Sequence, residues 1–105
     1  LRAIAVTTAR RSSLLPDVPT VAETIPGFEV ALWNGFFAPA GTPPAAVLRI
    51  SGAVAAAMRT DDMRAKLAQQ GSEPVGSDPE AFATFIAAEI PKWAELVRIS
   101  GATVE

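Results

Sequence analysis

Residues 78–100 place Phe82, Phe85, Ile86, Ile90, Trp93, Leu96 and Val97 at repeated intervals of three and four. That recurrence is the mark of a helix with one apolar face. A helix with such a face needs another layer of structure to lie against. The pattern predicts a helix from Asp78 to Ser100, started by a Ser77-Asp78-Pro79-Glu80 capping box and ended by Gly101. Pro91 falls inside it, about 180° from the middle of the stripe. Its ring therefore faces solvent and bends the helix without breaking it.

Glu89 is the odd member of that face, about 30° from its centre. A buried carboxylate is costly unless it is paired or hydrogen-bonded. The sequence thus predicts a partner for it, such as an Arg or backbone N–H groups. The functional alternative is a raised pKa and general-acid work, but no companion nucleophile or base is in sight.

The layers that meet this helix come from the preceding residues. Residues 1–7 (LRAIAVT) and 28–38 (FEVALWNGFFA) are rich in apolar, β-branched and aromatic side chains and are expected as strands. Gly35 marks a bulge or a close backbone approach in the second. Residues 14–20 hold Pro16 and Pro19 and read as an extended connector. Thr20-Val21-Ala22-Glu23 is a capping box opening a short helix that Pro26-Gly27 ends.

Residues 39–44 (PAGTPP) form a turn into a helix expected over 43–59, with Thr42 as its cap and Pro43 as its first residue. Val47, Ile50, Val54 and Ala57 give that helix its apolar stripe. Thr60 caps the next helix, Asp61 and Asp62 suit its positive end, Met63 and Leu67 are its buried residues, and Gly71 stops it. Residues 72–76 are a short extended piece. The order of strands and helices is an α/β pattern, a short sheet packed by helices. Two strands and a short piece make a poor sheet alone, so at least one edge is expected to pair outside this stretch.

Composition removes several classes of function. The 105 residues are 50% apolar and carry nine basic against eleven acidic side chains, a net charge of −2. No basic run exceeds Arg10-Arg11, which argues against a nucleic-acid surface or a polybasic membrane patch. With no Cys and no His, thiol chemistry, Cys/His metal sites and His-activated nucleophiles are out. No cofactor is expected, and an enzyme would have to rest on Asp, Glu, Lys and Ser alone. The lack of Cys fits an oxidising compartment. No apolar run reaches membrane-spanning length. The chain opens directly on a strand-like segment without Met, so further sequence is expected upstream of Leu1.

Three segments carry a resemblance. They are Leu15-Pro16-Asp17-Val18-Pro19-Thr20 with Glu23, then Trp33, Gly35 and Pro39-Ala40-Gly41-Thr42-Pro43, then residues 71–79 with Trp93. In that order and spacing the chain resembles the C-terminal third of the Bug/TctC family of periplasmic solute receptors. The resemblance implies a type II periplasmic-binding-protein fold, with two α/β lobes joined by crossing strands and a small carboxylated solute between them. On that footing residues 1–27 end the second lobe, and 28–105 hold a crossing strand and the C-terminal part of the first. The implied partners are a small organic acid or amino acid and the membrane subunits of a tripartite tricarboxylate-type transporter. The implied location is the periplasm. An isolated chain with open strand edges would instead be a structural module or a homodimer. Pro91 departs from the family's usual pattern.

Ligands of open α/β sheets sit beyond the carboxyl ends of the strands. Thr7 and Thr8 close the first strand, so their hydroxyls are candidates for a carboxylate; the plainer reading is loop solvation. Arg10 and Arg11 are either a carboxylate fork or a solvated loop. Trp33 and Asn34 alternate in the second strand, which makes Trp33 core and Asn34 a candidate for the cleft. The acid pairs Asp61-Asp62 and Asp78/Glu80 lack calcium-loop spacing and suit helix N-termini.

Overall fold

The structure is a computed structural model and describes residues 1–103. Its elements in order are a 3-10 helix, Val21–Glu23, and three α-helices, α1 (Pro44–Met58), α2 (Asp61–Gln69) and α3 (Pro79–Ser100). The chain divides into two compact units, Leu1–Phe37 and Ala38–Glu105.

In the first unit the expected strands are not formed, and no strand is found among the described residues. A single parallel bridge joins Val6 to Thr20. The Val6 N–H donates to the Pro19 carbonyl at 2.9 Å, and the Val21 N–H donates to the Val6 carbonyl at 2.9 Å. The Val30 N–H adds one bond to the Thr7 carbonyl, also at 2.9 Å. The pairing cannot spread for a local reason. Pro19 has no N–H to give, and the chain turns into the 3-10 helix immediately after Thr20. The short sheet read from the sequence is thus reduced to three backbone bonds around Val6 and Thr7.

The capping box at that turn is formed as expected. Thr20 Oγ1 accepts from the Glu23 N–H at 3.2 Å, and Glu23 Oε1 accepts from the Thr20 N–H at 3.0 Å. Thr20 is only 3% exposed, so its own polar groups need these partners.

In the second unit α1 touches both α2 and α3. The helix starts differ from the sequence reading at two prolines. Thr42 does not cap α1; its hydroxyl donates to the Pro39 carbonyl at 2.8 Å and closes the PAGT turn. Pro43 stands at the cap with ψ 133 and no side-chain bond. The residue before a proline avoids the helical region, so Pro43 cannot enter the helix ahead of Pro44. The same rule moves the start of α3. Asp78 precedes Pro79, keeps an extended backbone, and accepts from the Ala81 N–H at 2.8 Å, so the cap is Asp78 alone and no box forms from Ser77.

Thr60 caps α2 as expected, accepting from the Met63 N–H at 3.3 Å. The other end of α2 is a Schellman motif. The Ser72 N–H reaches the Leu67 carbonyl at 2.9 Å, the Gly71 N–H reaches Ala68 at 3.0 Å, and Gly71 takes φ +73. Gly101 ends α3 in the left-handed region, as read from the sequence.

No apolar side chain is fully buried among the described residues. On α3, Phe82, Ile86, Trp93 and Leu96 are half-buried, while Phe85, Ile90 and Val97 are exposed. The former lie within about 45° of their shared midline and the latter about 55–75° from it. The packed face is therefore narrower than the seven-residue stripe. On α1 the covered positions include Val47, Val54 and Ala57, but Ile50 is exposed. Met63 and Leu67 on α2 are half-buried. Pro91 is exposed and α3 continues through it.

Candidate functional site

The end of the first extended segment opens a loop that returns to its own start. Thr7 is exposed, and its carbonyl is taken by Val30. The Thr8 hydroxyl donates to the Arg10 carbonyl at 2.7 Å. Ser12 then starts a tight turn: its hydroxyl accepts from the Leu14 N–H at 3.2 Å and its carbonyl from the Leu15 N–H at 3.1 Å. A second turn follows, with the Val18 N–H on the Leu15 carbonyl at 3.0 Å. Residues 19–21 then run beside Val6, so the loop of residues 8–20 has both feet at one place.

Arg11 closes the loop. Its Nε donates to Glu23 Oε1 at 2.8 Å and its Nη2 to Glu23 Oε2 at 2.7 Å, a two-point fork. Its Nη1 reaches the Pro16 carbonyl at 3.2 Å. Arg11 is thus a paired side chain in a solvated loop, and its fork is not open. The Arg11 guanidinium, with the Thr20 N–H second, holds the Glu23 carboxyl down at about 2. The Glu23 hydrogen bond raises the Arg11 pKa in turn. Both side chains remain nearly half exposed, so salt screens the pair.

Asn34 is exposed and Trp33 is half-buried. No hydrogen bond joins Asn34 to Thr7 or Thr8 among the described residues. Thr7 and Thr8 adjoin in the chain at the loop mouth, the Val30 N–H reaches the Thr7 carbonyl, and no observed bond among the described residues brings Asn34 to them.

Sequence reasoning missed the link from Arg11 to Glu23. The only available signal was that Glu23 already belonged to a capping box beside a lone basic pair.

In the second unit Glu89 is 7% exposed. Its two oxygens accept from Lys92 Nζ and Trp93 Nε1, each at 2.7 Å. The expectation of a partner holds, although the donors are a lysine and an indole one turn along the same helix. Asp62 pairs with Lys66 at 2.7 Å. No group of three or more His, Cys, Asp or Glu stands ready to hold a metal among the described residues. A shallow groove of about 440 Å³ lies along α1 at Ser51, Gly52 and Ala55, bordered by Arg59 and Ser77. No helix is long and apolar enough to cross a membrane among the described residues.

The model of the tripartite tricarboxylate transporter family receptor matches residues 1–101. A protein from the tcbD-tcbE intergenic region of a Pseudomonas species is 39% identical over 92% of the chain and 30% of its own length. BugT of Bordetella pertussis is 36% identical over 100% of the chain and 32% of its own length. Among solved structures, R. palustris Rpa4515 with adipate superposes with a TM-score of 0.79 at 39% identity, over 92% of this chain and 33% of that one. The chain spans about a third of the length of these similar proteins.

Proposed function

The chain belongs to the tripartite tricarboxylate transporter receptor family, and from that premise we propose that it works as part of a periplasmic receptor for a small carboxylated solute. The receptor hands that solute to the membrane subunits of its transporter. Residues 1–27 belong to the end of one lobe, and 28–105 supply a crossing segment and part of the other. Two lobes closing on the solute are the mechanism. The observation that carries this reading is the likeness to Rpa4515, solved with adipate, at 39% identity and a TM-score of 0.79.

Thr7, Thr8 and Asn34 are the proposed contacts. An ionised carboxylate accepts hydrogen bonds and gives none, so each contact must present a donor. The Thr7 hydroxyl makes no bond among the described residues and can turn to the solute. The Thr8 hydroxyl must release the Arg10 carbonyl first. The Asn34 amide is exposed and carries two donors.

The test is calorimetric titration of the full polypeptide encoded by the gene with adipate, a tricarboxylate, a monocarboxylate and a neutral sugar. Saturable binding of a carboxylate is expected, weakened roughly tenfold by Thr7→Val or Asn34→Ala. Indifference to every carboxylate at millimolar concentration would overturn the reading.

A further inference from the structure

We propose that the ion pair of Arg11 and Glu23 is a latch that fixes the loop of residues 8–20 in its solute-receiving shape, which makes Arg11 a positioning residue and not a solute contact. The proposal rests on the receptor reading above.

Four observations point the same way. First, the guanidinium is engaged on three nitrogens at once, two on Glu23 and one on the Pro16 carbonyl. Three of its five N–H donors are thereby taken, and the edge that pairs with a carboxylate through Nε and Nη2 is already filled by Glu23. Second, Glu23 does two tasks, because the oxygen facing Arg11 Nε also accepts the Thr20 N–H of the capping box. Third, Thr20 is buried and bridged to Val6, directly before Thr7 and Thr8. The latch is therefore joined to the proposed contacts through the Val6–Thr20 bridge. Fourth, apart from the latch, the middle of the loop is held by its own short turns at Ser12 and Leu15. Those fix local shape and leave the tilt of the whole loop to Arg11.

A substitution separates the latch from a direct contact. Glu23→Gln keeps an acceptor for the Thr20 N–H, since glutamine serves a capping box as well as glutamate does. It removes the charge that holds Arg11. If Arg11 were a solute ligand, freeing it would tighten carboxylate binding. If it is a latch, freeing it loosens the loop and weakens binding.

The experiment measures the Kd for adipate of the full polypeptide and of its Glu23→Gln, Arg11→Ala and doubly substituted forms, with circular dichroism confirming that each is folded. Each single change is expected to raise Kd roughly three- to tenfold, and the double change no further than the larger single, because both remove one interaction. Arg11→Lys, which keeps the charge without the fork, should recover only part of the loss. Tighter binding by Glu23→Gln, an unchanged Kd in both folded singles, or losses that simply add would each overturn the latch. A native polypeptide that binds no carboxylate sinks the receptor reading and the latch with it; a native polypeptide that binds, with variants that bind equally well, sinks the latch alone.

Discussion

Trp93 donates its indole N–H to Glu89 Oε2 at 2.7 Å, one helical turn away on α3. The carboxylate is buried, and its other oxygen holds Lys92. An apolar face thus contains a charge that is answered within the same helix.

Replacing Glu89 by Ala leaves the half-buried indole without its acceptor. The expected loss of stability is about 1–3 kcal/mol. Glu89→Gln keeps an acceptor for Trp93 and should cost less than half as much. Urea unfolding followed by tryptophan fluorescence measures both; an equal loss in the two variants would mean that the ion pair with Lys92, and not the indole bond, is the stabilising part.

Gly76 and Gly52 make an internal control. At Gly76 φ is +62, and an added Cβ would meet Met58 Cβ at 3.2 Å. Gly76→Ala is expected to destabilise by about 1–2 kcal/mol. Gly52 sits inside α1 with nothing within 4 Å of an added Cβ. Gly52→Ala should stabilise by about 0.5–1 kcal/mol. Changes of the same sign in both proteins would contradict the packing described for α1.

The helix caps should respond unequally to the same chemistry. Asp78→Ala removes the bond to the Ala81 N–H and is expected to cost about 1 kcal/mol. Thr60→Ala removes the corresponding bond at α2 and should cost a similar amount. Thr42→Ala should cost clearly less, because that hydroxyl closes a turn and caps nothing. Thermal unfolding of the three variants ranks them.

Stability should fall in acid, and Glu23 is one named cause. Its folded pKa is lowered to about 2, below its value in the unfolded chain. A depressed acid stabilises above its unfolded pKa, and the effect is lost as pH falls through the folded one. The loss therefore runs from about pH 5 down to about pH 2. Glu95, held down by Arg98, adds in the same direction. Glu23→Gln should flatten the melting temperature over that range, most clearly at low salt. An unchanged pH slope in the variant would remove Glu23 as the cause.

What the sequence disclosed was chiefly local. The box at Thr20 and Glu23, the cap at Thr60, and the stops at Gly71 and Gly101 each depend on a few neighbouring residues, and each is present. The two misplaced helix starts were also local, and the rule about residues before proline would have corrected both Thr42 and Ser77. The strands at 1–7 and 28–38 were a different matter. Strand formation depends on what lies alongside, and composition does not report a neighbour. The fork from Arg11 to Glu23 was hidden for the same reason, since it exists only after the intervening loop has folded back. The contacts proposed at Thr7 and Thr8 came from a rule about strand ends, and the segment that ends there is held by only a few bonds.

That sparse junction bears on the order in which the chain assembles. The helices of residues 44–100 rely on contacts close in sequence, which form quickly. Val6 and Thr7 instead gather two distant stretches, residues 19–21 and Val30, and a loop must close before each of those sets of bonds repays the lost freedom. The helices should therefore be in place while the junction is still open. Pulse-labelling hydrogen exchange would show the Val30 amide protected later than the amides of α3, and the reverse order would mean that the junction seeds folding.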